Sequence, residues 1–412
     1  MTAATATGTS ATSRPRLSPA WSWAVRLHVG YLALFTVWAA WVSSAYPKFV
    51  EEARLPVWPP STPLGAWLER VVLLPLYRYD VIWYVGIARD GYGAERGDIT
   101  FHPLYPLLAA LLGRLLGGQY LLAAWLVSQV CCVAMLALLY KLVALDEGEA
   151  VARRATLLLL GSPLGFTFLL PYTESLLLLG VAAALYAARR GRWWLAGLAA
   201  AAAALTKQPG ALVLLPLLWE LWHARRATVR ARGVRPLLGP LAGLALTPLA
   251  LLSWIVYRAR LGDASFRWDQ PLGVVNRVLL SPAYERVWGH SLSWPGAPLA
   301  MALQHLAERP MFYLWLNVLL VLLMSALTLV AALRARRSYA LFALAVLLLR
   351  LAIVYPPLPL MAAARHLTLI FPIFIQLARW CRRPAVAALV LTVNALLWAL
   401  IGALYVRNAF VP

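Results

Sequence analysis

Apolar runs of roughly 15 to 25 residues recur along this chain from residue 23 to residue 406. At 1.5 Å per residue, a helix of about 20 residues spans the ~30 Å hydrocarbon layer of a bilayer. Backbone groups in hydrocarbon are satisfied only within helices or closed barrels, and runs this long without alternation are helices. The sequence therefore predicts an all-α polytopic membrane protein. Composition agrees: 62% of the 412 residues are hydrophobic and 13% are charged, against about 25% charged in soluble domains.

The net charge of +21 does not mark a nucleic-acid surface. The basic residues gather in short loops between apolar runs, the pattern of cytoplasmic loops in membrane proteins. Cys131 and Cys132 sit inside an apolar run and Cys381 in a basic loop, so neither a disulfide framework nor a zinc site is expected. Walker, GxGxxG and HExxH motifs are absent, and no DxD pair occupies a cytoplasmic loop, which argues against ATP and nucleotide sugars as direct substrates.

Residues 1–22 read as a disordered cytoplasmic segment, and the first apolar run, Trp23–Tyr46, as a retained helix. Residues 47–118 read as a long first external loop. Within it, Leu64–Leu76 and Leu104–Leu116 are apolar on one face and interrupted by Glu69, Arg70 and Arg114, the pattern of helices lying in the interface. Topology decides between lying and crossing. If Leu104–Leu116 lies flat, Tyr120–Leu145 crosses inward and the arginine-rich loops near 153, 189, 225–235, 334–337 and 379–383 are all cytoplasmic. That arrangement puts 20 of the 37 basic residues but 4 of the 16 acidic ones inside. The later spans then run 156–170, 175–188, 193–205, 211–222, 236–257, 311–333, 339–355, 366–380 and 385–406, giving about 11 in all, with a second large external loop over 258–310.

One stretch departs from this monotony. Tyr77–Pro106 carries Asp80, Asp90, Glu95 and Asp98, a histidine, two prolines and seven aromatics. Carboxylates cost several kcal/mol in hydrocarbon unless paired or hydrated, so the stretch should lie at the membrane surface, where a site is expected. Asp80, among Tyr77, Tyr79, Trp83 and Tyr84, has the placement of a general base, or of a carboxylate paired with Arg78 or capping a surface helix. His102, between Phe101 and Pro103, suits a sugar or phosphate contact or a structural turn. Glu174 is the lone acid of a long apolar stretch, either starting a helix or orienting Asp80 and substrate hydroxyls. Lys207 and Arg365 sit in outer turns where positive charge is disfavoured; they suit a lipid phosphate or snorkel to headgroups.

Across these residues the chain resembles the PIG-V-type mannosyltransferases. Tyr79–Asp80, Gly86–Ala88 and Gly91–Tyr92 are followed by Phe101–Pro106, then Tyr172–Ser175, the alanine-rich run ending at Lys207–Gly210, and Arg365–His366 with Phe371–Pro372. The likeness runs in order from Tyr77 to Gln376. At three positions the chain departs from the pattern: His102 stands where the family has phenylalanine, Lys207 where it has arginine, and His366 where it has tyrosine.

The resemblance implies a GT-C glycosyltransferase fold with a catalytic Asp on the first external loop, a polyprenyl- or dolichyl-phosphate-linked sugar donor, and inverting transfer. In this chain it implies Asp80 as base and Lys207 with Arg365 at the donor phosphate. Arg78, His102, Tyr105, Tyr172, Glu174, Gln208 and His366 would contact substrate. The acceptor would be a glycolipid, a glycan or a protein, and the site would lie on the external face of the cell membrane, among membrane lipids. No cofactor is assigned; Asp80 and Glu174 could share a divalent cation, but they do not complete a ligand set for one. The rival reading is a flippase or transporter of lipid-linked sugars, which predicts charged or broken helices at the midplane.

Overall fold

The structure is a computed structural model and describes residues 18–45, 67, 69–93, 97–261, 287–407 and 409. Glu95, the start of the interfacial helix expected over 64–76, and Trp268 and Asp269 of the second loop lie outside the described residues.

The chain is an all-α membrane protein; among the described residues the one sheet is a pairing of β1 (Ser291–Leu292) with β2 (Ile353–Val354). Among the described residues five helical segments are long and apolar enough to cross a bilayer. They are α1 (Pro19–Ala45), α4 (Tyr120–Glu147), the run Arg235–Arg260, which contains α9 (Leu238–Leu244) and α10 (Leu246–Arg260), α12 (Phe312–Arg334) and α16 (Pro384–Val406). The other segments expected to cross are helical but shorter or broken. Residues 156–170 split into α5 (Glu149–Leu160) and a 3-10 turn at Gly165–Leu169. Residues 366–380 split at Phe371–Pro372 into α14 (Ala363–Leu367) and α15 (Pro372–Trp380), since proline cannot continue a helix that lacks its N–H.

The expected disorder through residue 22 is corrected at its end. Helix α1 begins at Pro19, where a missing N–H costs nothing in the first turn, and Ser22 donates to the Pro19 carbonyl. The arginine cluster expected as a loop over 225–235 is largely helical, because α8 runs through it from Leu214 to Arg232 and stops at Gly233, whose φ is +73°.

At the centre stands α4, with α6 (Glu174–Arg189) and α7 (Trp193–Thr206) packed in sequence beside it. These three bury most of their alanines and leucines against one another. Helix α3 (Leu104–Leu115) is too short to span, at about 18 Å. It buries Tyr105, Ala109 and Gly113 against α4 and exposes Leu107, Leu111 and Leu115 at four-residue spacing. An apolar stripe turned away from the protein is what a helix lying in the interface presents to lipid.

Candidate active site

Three structural devices place the residues of one cavity. The first sets Asp80. The end of α16 clamps the segment before α2 (Asp80–Asp90): Tyr405 Oη donates to the Leu76 carbonyl at 2.8 Å, Arg78 donates to the Val406 carbonyl at 3.4 Å, and Tyr79 Oη donates to the Ala409 carbonyl. Tyr79 is forced to φ +50°, ψ −121°, a conformation that costs a non-glycine residue about 1–3 kcal/mol. Its neighbour Asp80 is thereby aimed inward at the head of α2.

The second device sets Lys207. The residue leaves α7 in extended conformation, and its chain turns immediately into a 3-10 segment, Gln208–Val213. Gly210 makes the turn possible: a Cβ there would stand 2.0 Å from the Ala203 carbonyl oxygen. The third sets Arg365. Ala362, at φ +56°, reverses the chain into the five-residue α14, and the Arg365 guanidinium lies over the Tyr172 ring at 4.7 Å.

These side chains form one chain of alternating charge. Arg365 Nη2 donates to Asp80 Oδ2 at 2.6 Å, Arg365 Nε lies 3.4 Å from Glu174 Oε1, and Lys207 Nζ donates to that same oxygen at 3.0 Å. Glu174 is 1% exposed, whereas Asp80 keeps 29% of its side chain open to the cavity. Burial alone would raise the Asp80 pKa, but Arg365 and then Lys207 hold it below the usual carboxylate range. Glu174 serves the cations from behind; Asp80 faces the space.

That space is a cavity of about 220 Å³. Its lining includes the polar Lys207, Gln208, Arg350, Arg365 and His366 and the ring-bearing Trp83, Tyr84, Phe101, His102 and Trp288. The aromatic lining is tied together by rings from both loops, with Trp83 stacked on Phe101 at 5.8 Å and set edge-on to Trp288 at 5.1 Å. Trp288 in turn donates to the Gly97 carbonyl at 3.1 Å. His102 and His290 are both held at a pKa of about 4, chiefly by burial, and are neutral. Among the described residues Lys207, Arg350 and Arg365 line the cavity beside Asp80, and cations so placed suit a phosphate.

Of the expected site residues, Asp80, His102, Tyr172, Lys207, Gln208, Arg365 and His366 line this cavity. Three of the residues expected at substrate, Arg78, Tyr105 and Glu174, do not line it. Arg78 turns its guanidinium to the carbonyls of Leu74, Tyr77 and Val406. Tyr105 is fully buried, donating to the Ala124 carbonyl and bonding Ser128, each at 2.8 Å. Glu174 lies behind Lys207 and Arg365. Arg350 was missed by the sequence reading. Its only sequence signal is an arginine late in an apolar run, α13 (Arg337–Ala352), where hydrocarbon penalises charge without a reason. Among the described residues no group of three or more metal-ligating side chains converges. Asp80 and Glu174 are bridged by Arg365, a donor set that does not suit a divalent cation.

Residues 101–257, less than half of the chain, match the family model described as dolichyl-phosphate-mannose-protein mannosyltransferase. No curated protein matches the sequence. Among solved structures, the chain is similar to ArnT from Cupriavidus metallidurans bound to undecaprenyl phosphate, with 15% identity and a TM-score of 0.48 over 92% of this chain and 64% of that one. It is also similar to the Archaeoglobus fulgidus oligosaccharyltransferase in complex with Zn and sulfate, with 14% identity and a TM-score of 0.43 over 93% of this chain and 53% of that one. The chain therefore spans less than two thirds of the length of either structure. Likenesses this distant say nothing about substrate. Fold and site together define a multi-pass helical membrane protein with a charged cavity at one end of its bundle.

Proposed function

We propose that this protein is a GT-C glycosyltransferase of the PIG-V type, transferring a sugar, mannose, from a polyprenyl-phosphate donor to an acceptor hydroxyl on the external face of the membrane. The observation that carries this reading is the meeting of Asp80 with Arg365 at 2.6 Å inside a cavity that Lys207 also lines. One carboxylate and a set of cations in one small space are what inversion at a glycosyl phosphate needs. The match of residues 101–257 to a family whose description names dolichyl-phosphate-mannose supports the donor class.

The acceptor oxygen attacks the anomeric carbon as its proton passes to Asp80 Oδ. The bond from that carbon to the phosphate oxygen breaks, and its electron pair leaves with the lipid phosphate. Lys207 and Arg365 compensate the charge that grows on the leaving oxygen, and preorganised cations in a site shielded from water are effective because they need no reorganisation. The donor phosphate competes with Asp80 for Arg365, so donor binding releases the carboxylate for its role as base.

The test is transfer by the purified protein in lipid, with radiolabelled polyprenyl-phosphate mannose and a pool of membrane glycolipids, glycans and peptides. Wild type should transfer label, and Lys207→Met should raise the donor KM about 10–100-fold, in line with the loss of a charge-assisted phosphate contact. A donor that binds but is never transferred to any acceptor class, and instead crosses the bilayer, would replace the enzyme with a flippase.

A further inference from the structure

His102 is one of the three positions at which the chain departs from the pattern of the family it resembles, standing where that family has phenylalanine, and its setting gives the departure a chemical meaning. Its Nδ1 lies 2.7 Å from the Ala204 carbonyl oxygen. A carbonyl only accepts, so Nδ1 carries the proton and donates it. With the ring neutral, the other nitrogen, Nε2, holds a lone pair and can only accept. A phosphate oxygen is also an acceptor, so His102 cannot bind the phosphate. It binds a hydroxyl.

Ala204 is three residues before Lys207 on α7, within one helical turn. The imidazole is therefore pinned beside the cation assigned to the donor phosphate, and the group next to a sugar phosphate is the sugar. The cavity of about 220 Å³ has room for a hexose beside its phosphate. We infer that His102 Nε2 accepts a hydrogen bond from one ring hydroxyl of the donor hexose, so that the change from phenylalanine to histidine sets which sugar this protein accepts.

This inference rests on the glycosyltransferase reading, and its test separates the two. Donor analogues lacking the hydroxyl at C2, C3, C4 or C6 are compared by displacement of labelled polyprenyl-phosphate mannose and, in parallel, by transfer. One of the four should bind wild type at least about tenfold more weakly than the others, because the site then keeps a buried acceptor unpaired. His102→Asn, which retains a donor for the Ala204 carbonyl but has nothing at the Nε2 position, should bind all four alike. His102→Gln, which returns an oxygen near that position, should recover part of the preference. His102→Phe should match His102→Asn, and thermal melting shows whether it folds; the Asn variant decides the matter if it does not.

The pH profile distinguishes a further role. His102 is faced by Lys207 and by Arg258, which lies over the Trp254 ring packed against the imidazole. A neutral ring held at about 4 adds no limb to the rate between pH 5 and 8. A limb in that range that vanishes in His102→Gln, four analogues that bind wild type equally, or selectivity that survives in His102→Asn would each overturn the inference. Binding selectivity without any transfer would leave His102 as assigned and remove the enzyme.

Discussion

Among the described residues an ionic cluster stands at each end of α6, and the two use the same residue types to opposite effect. Glu174 opens the helix and Arg189 closes it, about 22 Å apart at 1.5 Å per residue. At the Arg189 end every carboxylate is saturated. Asp146 receives both Arg189 nitrogens at 2.8 and 2.9 Å and the Tyr339 hydroxyl at 2.8 Å. Glu220 receives Arg336 at 2.5 and 2.8 Å and Ser338 at 2.6 Å, and Glu147 is paired with Arg379. At the Glu174 end, Asp80 has one arginine contact and open space beside it. Buried ion pairs are expensive to desolvate and stabilise only when complete. The first cluster is complete and fastens helices; the second holds capacity in reserve, as a site must.

The sharpest separation comes from paired substitutions. Asp80→Asn should lower the rate of sugar transfer by about 10²–10⁴-fold, the range of general-base contributions, with donor binding retained and melting temperature lowered only by the loss of one ion pair, that with Arg365. Asp146→Asn should do the reverse, lowering stability by about 1–3 kcal/mol while leaving turnover of the folded protein intact, since two donors lose a charged acceptor. Thermal melts in lipid or detergent, set beside transfer rates, read both outcomes.

A medium effect is expected from pH. Asp80 has a depressed pKa, so its ionised form and the stability it contributes persist above the ordinary carboxylate pKa of about 3.9 and are lost as pH falls through the lower folded value. Transfer should therefore show no acid limb down to about pH 4. In Arg365→Gln burial loses its main opponent, and the limb should move upward; a limb that stays in place would mean that Arg365 does not hold Asp80. The smallest effect concerns strain. Ala362→Gly relieves a left-handed alanine and should add roughly 0.5–1 kcal/mol to stability, visible as a small rise in melting temperature. No rise would mean that the turn before α14 stores no strain.

The two clusters also differ in how far the sequence disclosed them. Asp80, Lys207 and Arg365 stood out because each interrupts a lipid-soluble pattern or lies where positive charge is disfavoured, so a local rule flagged them. The helical architecture was legible for the same reason, through length and hydropathy. Span count was less so. Pro372 breaks a run whose hydropathy reads as continuous, and Glu149–Leu160 gives way to a 3-10 turn that no periodicity announces. The pairs Asp146–Arg189 and Glu220–Arg336 were invisible, since partners 43 and 116 residues apart meet only through tertiary packing. Arg350 was hidden likewise: its reason for lying in an apolar helix is a cavity built by residues of six other segments. Glu174 was recognised as unusual but assigned to substrate, because a sequence does not tell a residue facing a cavity from one standing behind its wall.

The central claim is that the cluster around Asp80 is chemical and the cluster around Asp146 is structural. Its most direct test is label transferred from polyprenyl-phosphate mannose, measured per mole of folded protein for wild type, Asp80→Asn and Asp146→Asn side by side. Wild type and Asp146→Asn should transfer label, with near-complete loss in an Asp80→Asn protein that still binds donor. Equal transfer by wild type and Asp80→Asn, or loss confined to folded Asp146→Asn, would contradict it.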